Sequence, residues 1–188
     1  MSDYLTFEIE ILGIEPRIWR RFVVARSSTF LDLHRAIQRA FGWENAHLFA
    51  FRQHERGPEI VDAQGVSGPA MRSARTQLGN YFKSPSVTTC VYEYDPGDSW
   101  MHRVRLVERS TSADAFKRRL LDGAGAGPLD NFGGVRGYVR CVQLLARIKT
   151  RTRLSESDVE LLQSIGSWRP DQFDLESARK GFDRPVPP

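Results

Sequence analysis

Lysine is nearly missing from this chain. Of 27 cationic residues only Lys83, Lys117, Lys149 and Lys180 are lysine, so 23 are arginine. Arginine forks pair bidentately with phosphates, carboxylates and guanine edges, which a lysine point charge does not. A GC-rich coding bias produces the same preference, so the count alone assigns no ligand. Cysteine is equally scarce. Cys90 and Cys141 stand far apart without CxxC spacing, and both read as small buried hydrophobes in a reducing, cytoplasmic setting. No window approaches the roughly 18 apolar residues that a membrane helix needs. The N-terminus shows no basic region followed by an apolar run, so no signal peptide is expected. There are no internal repeats, no GxSxG elbow, and no phosphate-loop or dinucleotide fingerprint around the glycines.

What is present suits one domain. At 188 residues, 40% hydrophobic and 27% charged, the chain can bury a core without disulfides or metal. The net charge of +4 is mildly basic. Residues 4–12 alternate, with Leu5, Phe7, Ile9 and Ile11 on one face and Thr6, Glu8 and Glu10 on the other. Gly13 and Pro16 turn the chain into a second strand over 18–25, which puts Arg20 with Ile18, Phe22 and Val24. Thr29-x-x-Asp32 is a capping box for a helix carrying Leu33, Ile37, Ala40 and Phe41, with Gly42 placed to end it. A histidine beside that stripe, His34, reads as surface or rim, and His54 as a solvated loop residue. Residues 47–53 read as a third strand. Residues 54–86 read as loops, with room for a short helix near 73–78.

Val87–Tyr94 and Ser99–Val107 form a hairpin about Pro96-Gly97. Beyond it, Asp114–Leu121 reads as a short helix ending at Gly123, and 122–137 as a loop with six glycines. Tyr138–Ile148 reads as an amphipathic helix, a further helix is capped by Ser157-x-x-Glu160, and Asp174–Lys180 reads as a last short helix before a frayed Pro-rich tail. The expectation is an α+β fold: a mixed, β-grasp-like sheet of order β-β-α-β-β-β, one main helix packed on it, and a helical final third. Sheet and helix core would occupy about residues 4–108 and the helical extension about 112–182 of a single domain over 1–188.

The segments IEPRIWRRFVV, TFLDLHRAIQRAFGWENAHLFAF, YEYDPGDSWMHRVRL and WRPDQFDLE, in that order, resemble the plasmid Ri open-reading-frame-three family, whose members are also labelled TnpR-type passenger proteins of an insertion element. The matches span roughly residues 4–176. The resemblance implies an α+β fold and an association with plasmids and mobile elements, but no established reaction. No serine-recombinase signature accompanies the label. The chain departs from the family pattern at Phe49, where HLHxF would place a second histidine, and at 127–134, where CPPEDxGG would place a cysteine and a further acid.

Two constellations carry chemistry. With a two-residue Pro96-Gly97 loop, strand alternation places Glu93, Asp95, Asp98, Trp100 and His102 on one face. His47 and Asp130 could join from the third strand and the glycine loop. No cofactor is expected; in the alternative of a metal-assisted hydrolase, Asp95, Asp98 and His102, with His47 and Glu93 as helpers, would hold a divalent metal. L-Pro-Gly suits a two-residue hairpin poorly, however, and a longer loop would change the register. Both aspartates could equally cap their own turn, and His102 beside Trp100 could be a satisfied core histidine.

The second constellation is basic: Arg17, Arg20 and Arg21 around Trp19, Arg103 and Arg105 on one face of a strand, and Arg147, Lys149, Arg151 and Arg153 at a helix end. Cations beside an aromatic hold phosphates and stack bases, although cations at a helix C-terminus also favour its dipole. The leading expectation is a non-enzymatic binding module that contacts nucleic acid or an acidic protein partner, with no membrane association. The hydrolase and a purely structural interaction domain are the alternatives. Oligomeric state is not encoded in any motif.

Overall fold

The computed structural model describes residues 1–61, 74–149 and 153–182. In chain order the elements are β1 (Ser2–Ile11), β2 (Trp19–Ala25), α1 (Phe30–Phe41), β3 (Phe49–Arg52), β4 (Glu59–Val61), α2 (Leu78–Tyr81), β5 (Thr89–Tyr94), β6 (Trp100–Ser112), β7 (Arg118–Ala124), α3 (Gly134–Lys149), α4 (Glu156–Ile165) and α5 (Leu175–Phe182). The strands form one seven-stranded sheet in the order β4-β3-β5-β6-β1-β2-β7. The α+β class and the helical C-terminal part hold. Every pairing is antiparallel, so the sheet is not a mixed one.

The alternation in β1 sets the layers. Leu5 and Phe7 pair laterally with Val24 and Phe22 of β2, Phe7 and Ile9 with Leu106 and Val104 of β6, and Ile11 with His102, and all are buried. Onto this face packs α1 through Phe30, Leu33, Ile37 and Phe41. Its capping box is formed as expected: the Thr29 side chain accepts from Asp32 N while Asp32 accepts from Thr29 N. Gly42 adopts φ +80°, a left-handed conformation that costs glycine little, and Trp43 N closes the turn on Gln38 O at 2.9 Å. The β1–β6 register slips between Thr6 and Phe7, which leaves Val107 of β6 as the extra residue of a bulge.

Three readings are corrected. Of the stretch expected as a helix, residues 118–121 instead join 122–124 of the expected loop to make β7, because the free edge of β2 pairs with them from Trp19↔Ala124 to Val24↔Arg118. Its local composition suits a helix, and a partner distant in sequence overrides it. The α4 cap is Ser155 with Asp158, not Ser157 with Glu160. The short helix expected near 73–78 is α2, shifted to Leu78–Tyr81, while residues 62–73 and the tail over 183–188 lie outside the described residues. No helix among the described residues is long and apolar enough to cross a membrane.

The opposite face of the sheet is different in character. One end is closed by the loop before β7, where Tyr4 stacks on Phe116 with ring centroids 4.0 Å apart. Along its centre the side chains of Arg17, Arg21, Arg103 and Arg105 remain 40–55% exposed.

Candidate functional site

The β5–β6 hairpin turns through five residues, Asp95 to Ser99, not two. Tyr94 pairs with Trp100, Glu93 with Met101 and Tyr92 with His102. Asp95 and Ser99 both take left-handed conformations, with φ of 52° and 53°, and Ser99 N donates to Asp95 O. The one-residue change in register turns the expected face over. Tyr92, Tyr94, Trp100 and His102 face the core, whereas Glu93 faces the open side and pairs with Arg52.

His102 is therefore a core histidine. Its Nδ1 lies 2.9 Å from Trp100 O and 3.3 Å from Tyr92 O, and the ring packs among Phe41, Trp43 and Tyr92. Nε2 is buried without a hydrogen-bond partner among the described residues. Burial pushes the imidazole pKa down to about 4, so it is neutral at pH 7.

His34 corrects a further expectation, since it is buried and not at the rim. Its Nδ1 is 2.8 Å from Tyr92 Oη, its Nε2 is 2.5 Å from Asn45 Oδ1, and its ring stacks on Phe49 at 3.6 Å. Burial lowers its pKa to about 4, against the opposing bond to Asn45. Helical spacing held the signal: His34 lies four residues after Phe30 and three before Ile37, within the apolar stripe.

The remaining candidates meet at one end of the sheet, where the loops over 42–48, 95–99 and 125–133 converge. His47 Nε2 lies 3.6 Å from Asp95 Oδ2, and the other oxygen of Asp95 accepts from Gly97 N and Asp98 N. Asp98 Oδ2 accepts from Gly133 N at 2.9 Å. Asp130 accepts from Glu44 N with one oxygen and from Tyr94 Oη with the other. Tyr94 Oη in turn accepts from Ala46 N. Gly134, with φ +66°, brings its backbone so close that a Cβ there would sit 2.3 Å from Asp98 O. Among the described residues His47 and Asp95 are thus side by side, Asp98 and Asp130 each clamp loop backbone at the same end of the sheet, and Glu93 and His102 stand apart from them. The three aspartates accept mainly from backbone N–H groups, which is what a loop clamp requires. Among the described residues no three His, Cys, Asp or Glu side chains gather as a metal-binding group.

The arginines also divide. Arg20 is buried and donates to four backbone oxygens, those of Ala40, Trp19, Ala124 and Gly125, at 2.8–2.9 Å. Its guanidinium lies over the Phe41 and Phe173 rings, and burial lowers its pKa to about 9. It joins α1 to the β2–β7 edge and is not available to a ligand. Arg147 ties α3 to α4 through Asp158 and Arg153 O. Arg151 and the side chain of Lys149 lie outside the described residues.

On the open face, Arg17, Arg21 and Arg105 converge on Glu8 from the β1–β2 turn, β2 and β6, at 3.2, 2.6 and 2.7 Å. Glu8 is almost fully buried beneath them. Burial alone would raise its pKa, but the bonds from Arg21 and Arg105, then Arg17, hold it at about 2. Glu10 takes the Arg17 fork at 3.0 and 3.1 Å and Arg103 at 3.3 Å. Four arginines surround two glutamates, which leaves two positive charges in excess.

The molecule is accordingly an α+β protein with a clamped loop end and an arginine-rich open sheet. The chain belongs to the plasmid pRiA4b ORF-3-like protein family, whose model matches residues 3–177. It is 30% identical over 184 residues to the uncharacterized protein y4hQ of Sinorhizobium fredii, covering 98% of this chain and 89% of that one. The crystal structure of a protein of unknown function, MM3350 from Methanosarcina mazei Go1, superposes with a TM-score of 0.78 at 29% identity, covering 94% of this chain and 98% of the other.

Proposed function

We propose that this protein is a binding module that takes up a nucleic-acid strand on the open face of its sheet. The observation that carries the reading is the Arg17–Arg21–Arg103–Arg105 cluster, which exceeds its two glutamates in charge and stays half exposed. Phosphate contacts from arginine supply most of the sequence-independent affinity for nucleic acid. Trp19, half-buried beside Arg21 with the guanidinium 5.4 Å from its ring, adds a stacking platform at the edge of the cluster. The net charge of +4 favours approach of a polyanion. A metal-assisted hydrolase on Asp95, Asp98 and His102 gains no support, because His102 faces the core and Asp98 is held by a backbone amide.

Fluorescence anisotropy with labelled single- and double-stranded DNA and RNA tests the reading. Two phosphate contacts, one for each positive charge in excess, predict about sevenfold weaker binding to a single strand between about 50 and 200 mM salt. Replacing Arg103 and Arg105 by Gln should weaken binding across all sequences alike. No binding at the lower salt, or equal affinity at both, would overturn it. Equal capture of an acidic peptide would move the module to protein partners.

A further inference from the structure

We infer that Glu10 fills, in the free protein, the subsite of one phosphodiester group, and that a bound strand exchanges with it. The inference rests on the nucleic-acid reading above. The two glutamates of β1 stand on the same face two residues apart, yet they are held differently. Glu8 has a side chain only 7% exposed, and its two oxygens engage guanidinium groups from three separate segments. Its departure would take a carboxylate from three cations, of which Arg17 keeps Glu10, and it serves as the fixed counter-charge that gathers them.

Glu10 is 17% exposed and lies at the outer side of the same cluster. It is held by the Nε and Nη2 of Arg17, which is 45% exposed, and by Arg103, which is 55% exposed. An arginine fork that grips two carboxylate oxygens in parallel presents the same donors to two oxygens of a phosphodiester. The depression lined by Glu8, Glu10, Arg17, Arg103 and Arg105 has a volume of about 390 Å³, ample for a phosphodiester group. The exchange replaces one negative charge by another, so the arginines are never left without a partner. Glu10 is then a specificity-determining residue. It sets a threshold that a single dilute anion does not cross and that a strand, gripped also by Arg105 and Arg21, does.

The test compares wild type with Glu10→Gln, Glu8→Gln and Arg17→Gln. The probes are an oligothymidylate with its ordinary charged backbone and one with a neutral methylphosphonate backbone. Melting curves on each variant confirm the fold. Glu10→Gln is expected to bind the charged strand about three- to tenfold tighter, in line with the loss of one exposed ion-pair competitor. It should gain nothing on the neutral strand, and Arg17→Gln should lose affinity. Glu8→Gln should lose thermal stability and show no comparable gain. If wild type binds and Glu10→Gln binds no tighter, the exchange is refuted while the nucleic-acid reading stands. If only Glu10→Gln binds, a strand does not displace Glu10 from the wild-type face, and both the exchange and the nucleic-acid reading of the wild type fall. If neither binds, both fall.

Discussion

Arg20 and Arg21 are neighbours in sequence and opposites in fate. Arg20 points into the core, where four carbonyl oxygens and two aromatic rings enclose it and no carboxylate of the described residues is among its partners. Arg21 points outward, shares Glu8 with two other arginines and keeps 40% of its side chain in solvent. The same side chain thus joins elements on one face of β2 and gathers charge on the other. The contrast extends over the whole sheet. The core face is aromatic, with neutral histidines and one enclosed cation, and the open face is an ionic lattice.

Truncating each arginine in turn separates the two faces. Arg20→Ala should cost about 3–5 kcal/mol, because it leaves buried carbonyls unpaired and a cavity between Phe41 and Phe173. Arg21→Ala should cost at most about 1 kcal/mol, as befits a half-exposed ion pair. Urea denaturation of both variants measures the difference, and equal losses would refute the division.

Acid offers the next largest effect. In the unfolded chain His34 and His102 protonate near 6.5, but in the fold only near 4. Between these values the unfolded state binds more protons, so stability should fall as pH drops through that window, by roughly 3 kcal/mol per histidine at most. His102→Phe should flatten the dependence, since it keeps the ring packing and removes one of the two groups. Glu8 acts in a lower window. Its carboxyl pKa is depressed from 4.5 to about 2, so its contribution is present above 4.5 and is lost only as pH falls toward 2. Stability curves at pH 7, 5.5 and 4.5 separate the histidines from it, and a flat profile would contradict the buried neutral imidazoles.

A smaller change is expected at the loop end. Tyr94→Phe removes one hydrogen bond to Asp130 and an acceptor for Ala46 N, which should lower stability by about 1 kcal/mol. Smallest of all, Arg103→Gln should leave stability within about 0.5 kcal/mol of wild type while weakening nucleic-acid binding. A stability loss at Arg103 as large as at Tyr94 would mean that the open face is structural too.

Much of this was legible in the chain. The β1 alternation, the Thr29–Asp32 box and Gly42 are local signals, and they specify the first hairpin and α1 correctly. The largest failure is non-local, while the α4 cap, at Ser155 and not Ser157, was misread locally. Nothing within residues 114–121 announces that a free edge of β2 awaits them, so a helix-like composition became a strand. The site was half legible. His47 and Asp95 lie side by side and Asp98 and Asp130 hold the neighbouring loops, but the hairpin turns on Asp95 and Ser99 in left-handed conformations, which residue type alone does not specify. That single step in register carried His102 to the core face and Glu93 to the open one. Arg20 was correctly placed on the face of Ile18 and Phe22, and its burial follows once that face is known to be the core.

Val107 has a further consequence. Along β6, Arg103, Arg105 and Arg109 are separated by even steps and would all point the same way in an unbroken strand. The extra residue acts as a half-period phase shift in that series. Arg109 emerges opposite Leu5, on the side of the core, and its Nη2 reaches the carbonyl oxygens of Phe82 and Ser84 at 2.9 and 3.3 Å. One inserted residue thus splits a uniform row of cations into a pair offered to solvent and a clasp that fastens the segment after α2. A family member lacking the insertion would carry a longer cationic row and a looser 82–84 segment, so length variation within this strand would retune the face without changing a single arginine.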